Sequence, residues 1–389
     1  MRTTGVGNIV GYLSGYLNLP KLLPFLGDTQ FKVLCAIACF VLAITVTISC
    51  ATVQERDPRL EGEPNPSEGV FAFFRSLYRS VRRLPPQITK VCLVQFFAWI
   101  GWFPFLFYIT TYIGEIYADP YFEENPNLSD SEINDIYEHA TRMGTFALLI
   151  FAITTFASSV FLPFIIAPTY KAPEPTAPTP LTPATPASLS ASGHLSNSGY
   201  FNIKPHRARR SRWERWLGLF SHLRIKSLTL RRAWLLSHLL FAACMWATFL
   251  VRSTVLATAL VGLVGVPWAL TSWAPFALIS AEISKRDAVR RGLMRPPPTR
   301  DGALLAAGED GAADQAGVVL GIHNVAIAAP QVIATLVSSA IFRALQKPRG
   351  TPGDESVAWV LRFGGCCAVV AAWLTRRVGE GDEEGEESS

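Results

Sequence analysis

The side chains best placed to do chemistry in this sequence are aromatic and amide-bearing rather than nucleophilic. Gln95, Trp99, Trp102, Phe103, Pro104, Phe105, Tyr108, Thr110 and Thr111 all fall within the apolar stretch Val91 to Ile113. Aromatic faces beside amide and hydroxyl groups suit an uncharged polyol, because a sugar ring has apolar CH faces edged by hydroxyls. The alternative for such residues is interfacial anchoring, which fits Tyr112 and Tyr117. Pro104 removes one backbone hydrogen bond, so a helix break is expected near it, and broken helices at membrane depth are tolerated only where they line protein or water.

Two later stretches carry a second set of polar groups. Thr254 to Ala281 holds Gly262, Gly265, Pro267, Trp268, Thr271, Ser272, Trp273 and Pro275, and ends at Glu282. Gly317 to Phe342 holds Gly321, His323, Asn324, Pro330 and Gln331. Polar side chains within spans face a bundle interior, as ligand contacts or as hydrogen bonds between helices, and both readings stand here. Gly7, Gly11 and Gly15 recur every four residues, a spacing that lets a neighbouring backbone approach closely. Asp28, Glu115 and Glu282 sit near the ends of apolar stretches, so none reads as a buried proton relay; Arg362 lies inside the last one and is expected to snorkel or pair. No Ser/His/Asp set, phosphate-binding loop, HExxH or paired-cysteine motif occurs, so the residues disfavour an enzyme and call for no metal or cofactor.

The elements that must position these residues are membrane spans. Of 389 residues half are apolar and only 17% charged, against about 25% charged in soluble domains. The formal charge of +5 does not point to nucleic acid, because the basic residues cluster beside apolar stretches on alternate sides. A bilayer core of about 30 Å needs about 20 apolar residues per helix. Seven stretches qualify: Val33 to Ala51, Val91 to Ile113, Gly144 to Pro168, Ala233 to Val251, Thr254 to Ala281, Gly317 to Phe342 and Val357 to Thr375. Gly5 to Leu19 is shorter and reads as a partial first span. The expected fold is therefore an all-α polytopic membrane protein with seven full spans and a partial one.

Orientation follows from the connections. Thr52 to Lys90 carries seven Lys and Arg, Thr169 to Arg232 eleven and Glu282 to Gln315 six, whereas Gly114 to Met143 has only Arg142 against eight acids. The basic connections are assigned to the cytoplasm. Asn127-Leu128-Ser129, in the acidic connection, is a glycosylation sequon on the side this assigns outside. The Pro/Thr/Ala-rich run Lys171 to Ser198 reads as a cytoplasmic linker, and the acidic tail from Gly379 to Ser389 as a solvating end. Arg207 to Arg232 mixes eight Arg with Trp213, Trp216 and Phe220; it reads either as a helix lying on the inner leaflet or as a basic loop that enforces topology.

The run from Gln95 to Phe105, followed by Gly114-Glu115-Ile116-Tyr117, resembles the seventh helix of the fungal and plant sucrose (α-glucoside) proton symporters. These are glycoside-pentoside-hexuronide cation symporters of the major facilitator superfamily. Gly5 to Tyr12 looks like the end of that family's fifth helix, Val266-Pro267 with Trp273 to Leu278 like its tenth, and Gly317 to Gln331 like its eleventh. The resemblance implies a major-facilitator bundle divided as follows: residues 1–51 are the end of the N-terminal bundle, with partial helix five and helix six. Residues 52–90 are a cytoplasmic inter-bundle loop, and 91–168 are helices seven and eight, with the acidic extracellular loop 114–143. Residues 169–232 are the linker and Arg-rich segment, 233–375 helices nine to twelve, and 376–389 the tail. It further implies a chain that looks N-terminally truncated, with the first four helices and their proton-coupling acid absent.

What the resemblance implies about activity is proton-coupled transport of sucrose or a related α-glucoside by alternating access. The partners are then a disaccharide, protons and the lipid bilayer, with the plasma membrane or the vacuolar membrane as location. Gln95, Trp99, Trp102, Tyr108, Thr111, Asn324 and Gln331 are the expected substrate contacts, and Glu282 is a candidate for gating or coupling. Ile109-Thr110-Thr111 stands where plant members have an Asp-Thr-Asp run, which makes fungal members the nearer comparison. The competing reading is a non-transporting membrane sensor or interaction protein derived from such a transporter.

Overall fold

The structure is a computed structural model, and it describes residues 2–53, 75, 78, 81–82, 84–125, 127–167, 224–290, 292, 294–296, 298, 302–303, 305 and 316–379. The linker Lys171 to Ser198, most of the Thr52 to Lys90 connection and the acidic tail beyond Gly379 lie outside the described residues. The elements run in the order α1 (Arg2–Tyr16), α2 (Leu19–Leu22), α3 (Gln30–Thr52), α4 (Pro86–Glu124), α5 (Asp130–Ile165), β1 (Ile166–Ala167), β2 (Ile225–Thr229), α6 (Leu230–Ala247), α7 (Thr254–Arg290), α8 (Ala316–Ala328), α9 (Pro330–Leu345) and α10 (Ser356–Thr375).

Six helices among the described residues are long and apolar enough to cross a membrane: α3, α4, α5, α7, α8 with α9, and α10. The expected count of seven full spans is thus not confirmed among the described residues. The stretch expected at Ala233 to Val251 is helical as α6, but it has 18 residues, opens on Arg231 and Arg232 and carries His238. The partial first span is α1, of 15 residues.

The expected acidic extracellular loop 114–143 is mostly helix. At about 1.5 Å per residue, the 39 residues of α4 extend about 58 Å, well beyond a hydrocarbon core of about 30 Å. One helix ends at Glu124 and the next begins at Asp130. Ser129 starts α5 with a capping box: its hydroxyl accepts from the Glu132 amide, and its own amide donates to Glu132 Oε2 at 2.8 Å. The sequon hydroxyl is thus already engaged in a helix cap, while Asn127 is exposed beside it.

The all-α expectation has one small exception. Ile166 and Ala167 pair in parallel with Ile225 and Thr229. Residues 225–229 of the Arg-rich segment are therefore strand and not helix. The run Ile225-Lys226-Ser227-Leu228-Thr229 holds two β-branched residues, and the extended chain just past the end of α5 gives it a partner. Residues 207–223, where the surface helix was expected, lie outside the described residues.

Helix α4 is the hub, packing on α5, α7, α8, α9 and α10. Backbones meet closely where glycine permits it. A Cβ on Gly101 would collide with the Gly364 carbonyl oxygen of α10, and one on Gly364 would lie 2.8 Å from that of Gly101. A Cβ on Gly265 of α7 would fall 2.7 Å from the Phe151 carbonyl oxygen of α5. On α1, Gly15 abuts Thr145 and Gly5 abuts Phe156, whereas nothing among the described residues lies within 4 Å of a Cβ on Gly7 or Gly11. Of the three glycines expected to pack, Gly15 has a close neighbour among the described residues. Gln30 ties the α1 end to α3, its amide donating to the Leu17 carbonyl at 2.8 Å and accepting from the Leu19 amide at 3.0 Å. Nearby, the hydrogen bond and charge of Lys32 hold the Asp28 carboxyl below its ordinary range.

Candidate functional site

Helix α4 stays continuous through Pro104 and Pro120. The break expected at Pro104 does not occur, because neighbours pack the helix closely on both sides of it. Gln95 and Trp99, one turn apart, therefore present one face. The Trp99 indole lies 5.9 Å from that of Trp268 on α7, at 70°, and 5.2 Å from Phe103. Trp102 packs 4.9 Å from Trp268 and 4.0 Å from Phe241 of α6. Trp102 thus links α4, α6 and α7, and Trp268 reaches Phe151 of α5 at 6.2 Å. Tilted and edge-on rings at these separations are the favoured aromatic geometries.

Unsatisfied polar atoms collect on the same two helices. Gln95 is 1% exposed, and neither its amide oxygen nor its nitrogen has a hydrogen-bond partner among the described residues. The same holds for Trp99 Nε1, for Thr271 Oγ1 three residues beyond Trp268, and for Trp273 Nε1. Stripping such groups of water without a partner costs several kcal/mol each, of order 2–7, so the arrangement favours a ligand that brings hydroxyls. These groups are donors and acceptors without a net charge, carried on the two helices that the Trp99–Trp268 contact joins. Among the described residues no group of three His, Cys, Asp or Glu side chains comes together to hold a metal ion.

The other expected contacts are placed differently. Tyr108 is turned away to Phe342 of α9, ring centroids 4.9 Å apart. Thr111, Asn324 and Gln331 are exposed and share no side-chain contact with the Trp99–Trp268 cluster among the described residues. Trp102 is 1% exposed, so it backs the cluster instead of offering a free face. Glu282 is largely buried near the end of α7, with Arg286 Nη1 3.8 Å away. His323 of α8 is fully buried against Phe276, and both its ring nitrogens lack partners.

Sequence reasoning singled out Trp268 and Thr271 only as part of a kinked stretch. Their spacing of three, matched to Gln95 and Trp99 at four, was the available signal for a shared face. Phe241, from a helix read only as a span, had no such signal.

No protein-family model matches the chain. The chain is 35% identical to the general alpha-glucoside permease of Schizosaccharomyces pombe, over 97% of its own length and 66% of the permease, so it spans just under two thirds of that relative. It is 32% identical to the MFS-type transporter cctQ of Talaromyces islandicus over 39% of the chain and 54% of the relative. It is also 32% identical to the sucrose transport protein SUT2 of Oryza sativa subsp. indica, over 37% of the chain and 30% of the relative. The chain thus has helices long and apolar enough to cross a membrane and is similar in sequence, over nearly all of its own length, to an alpha-glucoside permease, and over about a third of it to a sucrose transport protein.

Proposed function

We propose that this chain supplies the sugar-binding face of a carrier that moves sucrose or a related α-glucoside across a membrane by alternating access, driven by protons. The observation that carries the reading is the contact of Trp99 with Trp268, with the unsatisfied amide of Gln95 one turn from Trp99 on α4 and the unsatisfied hydroxyl of Thr271 three residues from Trp268 on α7. Indole faces stack on the apolar faces of pyranose rings, and the amide and hydroxyl take the sugar hydroxyls that restore their hydrogen bonds. Gln95 and Trp99 are the proposed contacts on α4, with Trp102 fixing Trp268 from behind. Thr111, Asn324 and Gln331, exposed here, stay outside the set. The likeness to carriers does not favour the non-transporting reading.

Coupling enters at the cytoplasmic end. Glu282 and Arg286, on one face of α7 and both largely buried, are the proposed gate, opening as the end of α7 moves. The plasma membrane is the proposed location.

The test is uptake of labelled sucrose and maltose at external pH 5 and pH 7 by cells that lack their own disaccharide uptake and express the reading frame encoding this chain. Uptake stronger at pH 5, and at least about tenfold weaker in Gln95→Ala, corresponding to about 1.4 kcal/mol, supports the reading. No uptake of either sugar, with the protein verified in the membrane, overturns it. Uptake unchanged in Gln95→Ala removes the site assignment.

A further inference from the structure

A second cavity, of about 230 Å³, lies at the opposite pole from Glu282, between the last turns of α4, the α6–α7 turn and the start of α10. On the charge count this is the outer end. Its lining brings five carboxylates and only two guanidiniums, Arg252 and Arg362. Glu355 engages both: Arg362 Nη1 donates to Glu355 Oε2 at 3.0 Å, and Arg252 Nη1 lies 3.7 Å from Oε1. Arg362 is further fixed by Thr248, whose hydroxyl accepts from Nε at 3.2 Å and whose carbonyl accepts from Nη2 at 3.3 Å. Asp119 accepts from the Gly353 amide at 3.1 Å. Glu115, partly buried, makes no hydrogen bond or ion pair among the described residues.

The independent observation is Tyr112. It lines this cavity, is 4% exposed, and its hydroxyl is buried without a hydrogen-bond partner. The cavity thus brings three more carboxyl groups than guanidiniums, together with a phenolic oxygen that has no partner among the described residues. A ligand that fits must bring positive charge together with N–H donors. A primary ammonium does both, since it donates three hydrogen bonds, whereas a quaternary ammonium donates none.

The surroundings identify what carries that ammonium. Arg252, 79% exposed, stands at the rim where a phosphate would sit. Leu250 and Val255 beside it are 78% and 79% exposed, and Phe249 and Trp359 present further apolar surface. An ammonium pocket, a guanidinium at its mouth and an apolar flank follow the order of groups along a phospholipid. We propose that this outer cavity binds the primary-ammonium headgroup of an ethanolamine phospholipid, with the ammonium between Glu115 and the Tyr112 hydroxyl and the phosphate on Arg252. The site lies apart from the sugar-binding face and does not depend on it.

The test is native mass spectrometry of the full chain, purified in detergent and incubated with equal amounts of dioleoyl phosphatidylethanolamine, phosphatidylcholine and phosphatidylglycerol. Wild type is expected to retain ethanolamine lipid over choline lipid at least about fivefold, the scale of one charge-assisted hydrogen bond. Glu115→Gln should bring that ratio near one, Tyr112→Phe should lower it about twofold, and Glu124→Gln, outside the cavity, should leave it unchanged. Equal retention of the two lipids by wild type, or a wild-type ratio in Glu115→Gln, overturns the proposal. If Glu115→Gln does not fold, Tyr112→Phe decides, and an unchanged ratio there overturns it. Displacement of the lipid by micromolar soluble phosphoethanolamine overturns the lipid assignment.

Discussion

Two spans carry a mid-helix proline and treat it in opposite ways. In α4 the chain runs as one helix through Pro104, whereas at Pro330 the span passes from α8 to α9 through the single residue Ala329, whose backbone keeps helical dihedrals. Both prolines remove the same hydrogen bond, so the proline itself does not decide the outcome. Neighbours do. In the apolar window of α4 61% of residues are buried, against 17% in Gly317–Leu345. Around Pro104 the Gly101–Gly364 approach and the aromatic cluster hold both halves in line. Around Pro330, itself buried, the flanking Ala328, Ala329 and Gln331 are exposed, so fewer neighbours hold the helix there. A proline in a span weakens the helix more where packing is thin than where it is dense.

This contrast can be broken by substitution. The largest effect is expected at Trp268, which packs from α7 onto α4 and α5: Trp268→Ala should cost about 3 kcal/mol, read as the unfolding midpoint in detergent. Leu336→Ala, on the exposed face of α9, should change stability by no more than about 0.5 kcal/mol. Equal losses at the two positions would remove the distinction between the spans.

Next is Gly101→Leu, which drives a side chain into the Gly364 backbone. It should destabilise by about 2 kcal/mol, and Gly321→Leu, with open space around it, should not. Chemical denaturation of the two variants side by side measures the difference.

A finer probe is hydrogen exchange at the prolines themselves. Pro330→Ala restores an amide donor where the helix is least supported, so exchange at residues 330–333 should slow about tenfold, or about 1.4 kcal/mol. Pro104→Ala should slow exchange in its own turn much less, since that turn is already held by packing. A larger effect at position 104 would reverse the explanation.

The smallest effect belongs to the cap that starts α5. Ser129→Ala removes the capping box and should cost about 1 kcal/mol, with fraying confined to the first turn of α5. It also destroys the sequon at Asn127, so a mass shift of the protein expressed in a glycosylating host separates glycan loss from cap loss.

The sequence by itself determined the class of molecule. Runs of about 20 apolar residues can satisfy their backbone groups in lipid only as helices, and so α3, α4, α5, α7 and α10 stand close to where the apolar stretches put them. The run Gln95 to Phe105 was enough to place the chain beside the sugar permeases. Helix ends were less legible. Glu115 to Glu124 are helical although charged, because a helix already nucleated in the membrane extends into water at little cost. The strand at Ile225–Thr229 was hidden because pairing with Ile166 is a contact between residues 59 apart.

Only the tertiary structure decided which polar residues share a site. Periodicity could put Gln95 and Trp99 on one face, and could do the same for Trp268 and Thr271. It could not say that those two faces meet, that Tyr108 turns to Phe342, or that Asn324 and Gln331 remain exposed. Those outcomes depend on the rotation of each helix about its axis. That rotation is set by the close approach of Gly101 to Gly364 and of Gly265 to Phe151, which are contacts between segments far apart in the chain.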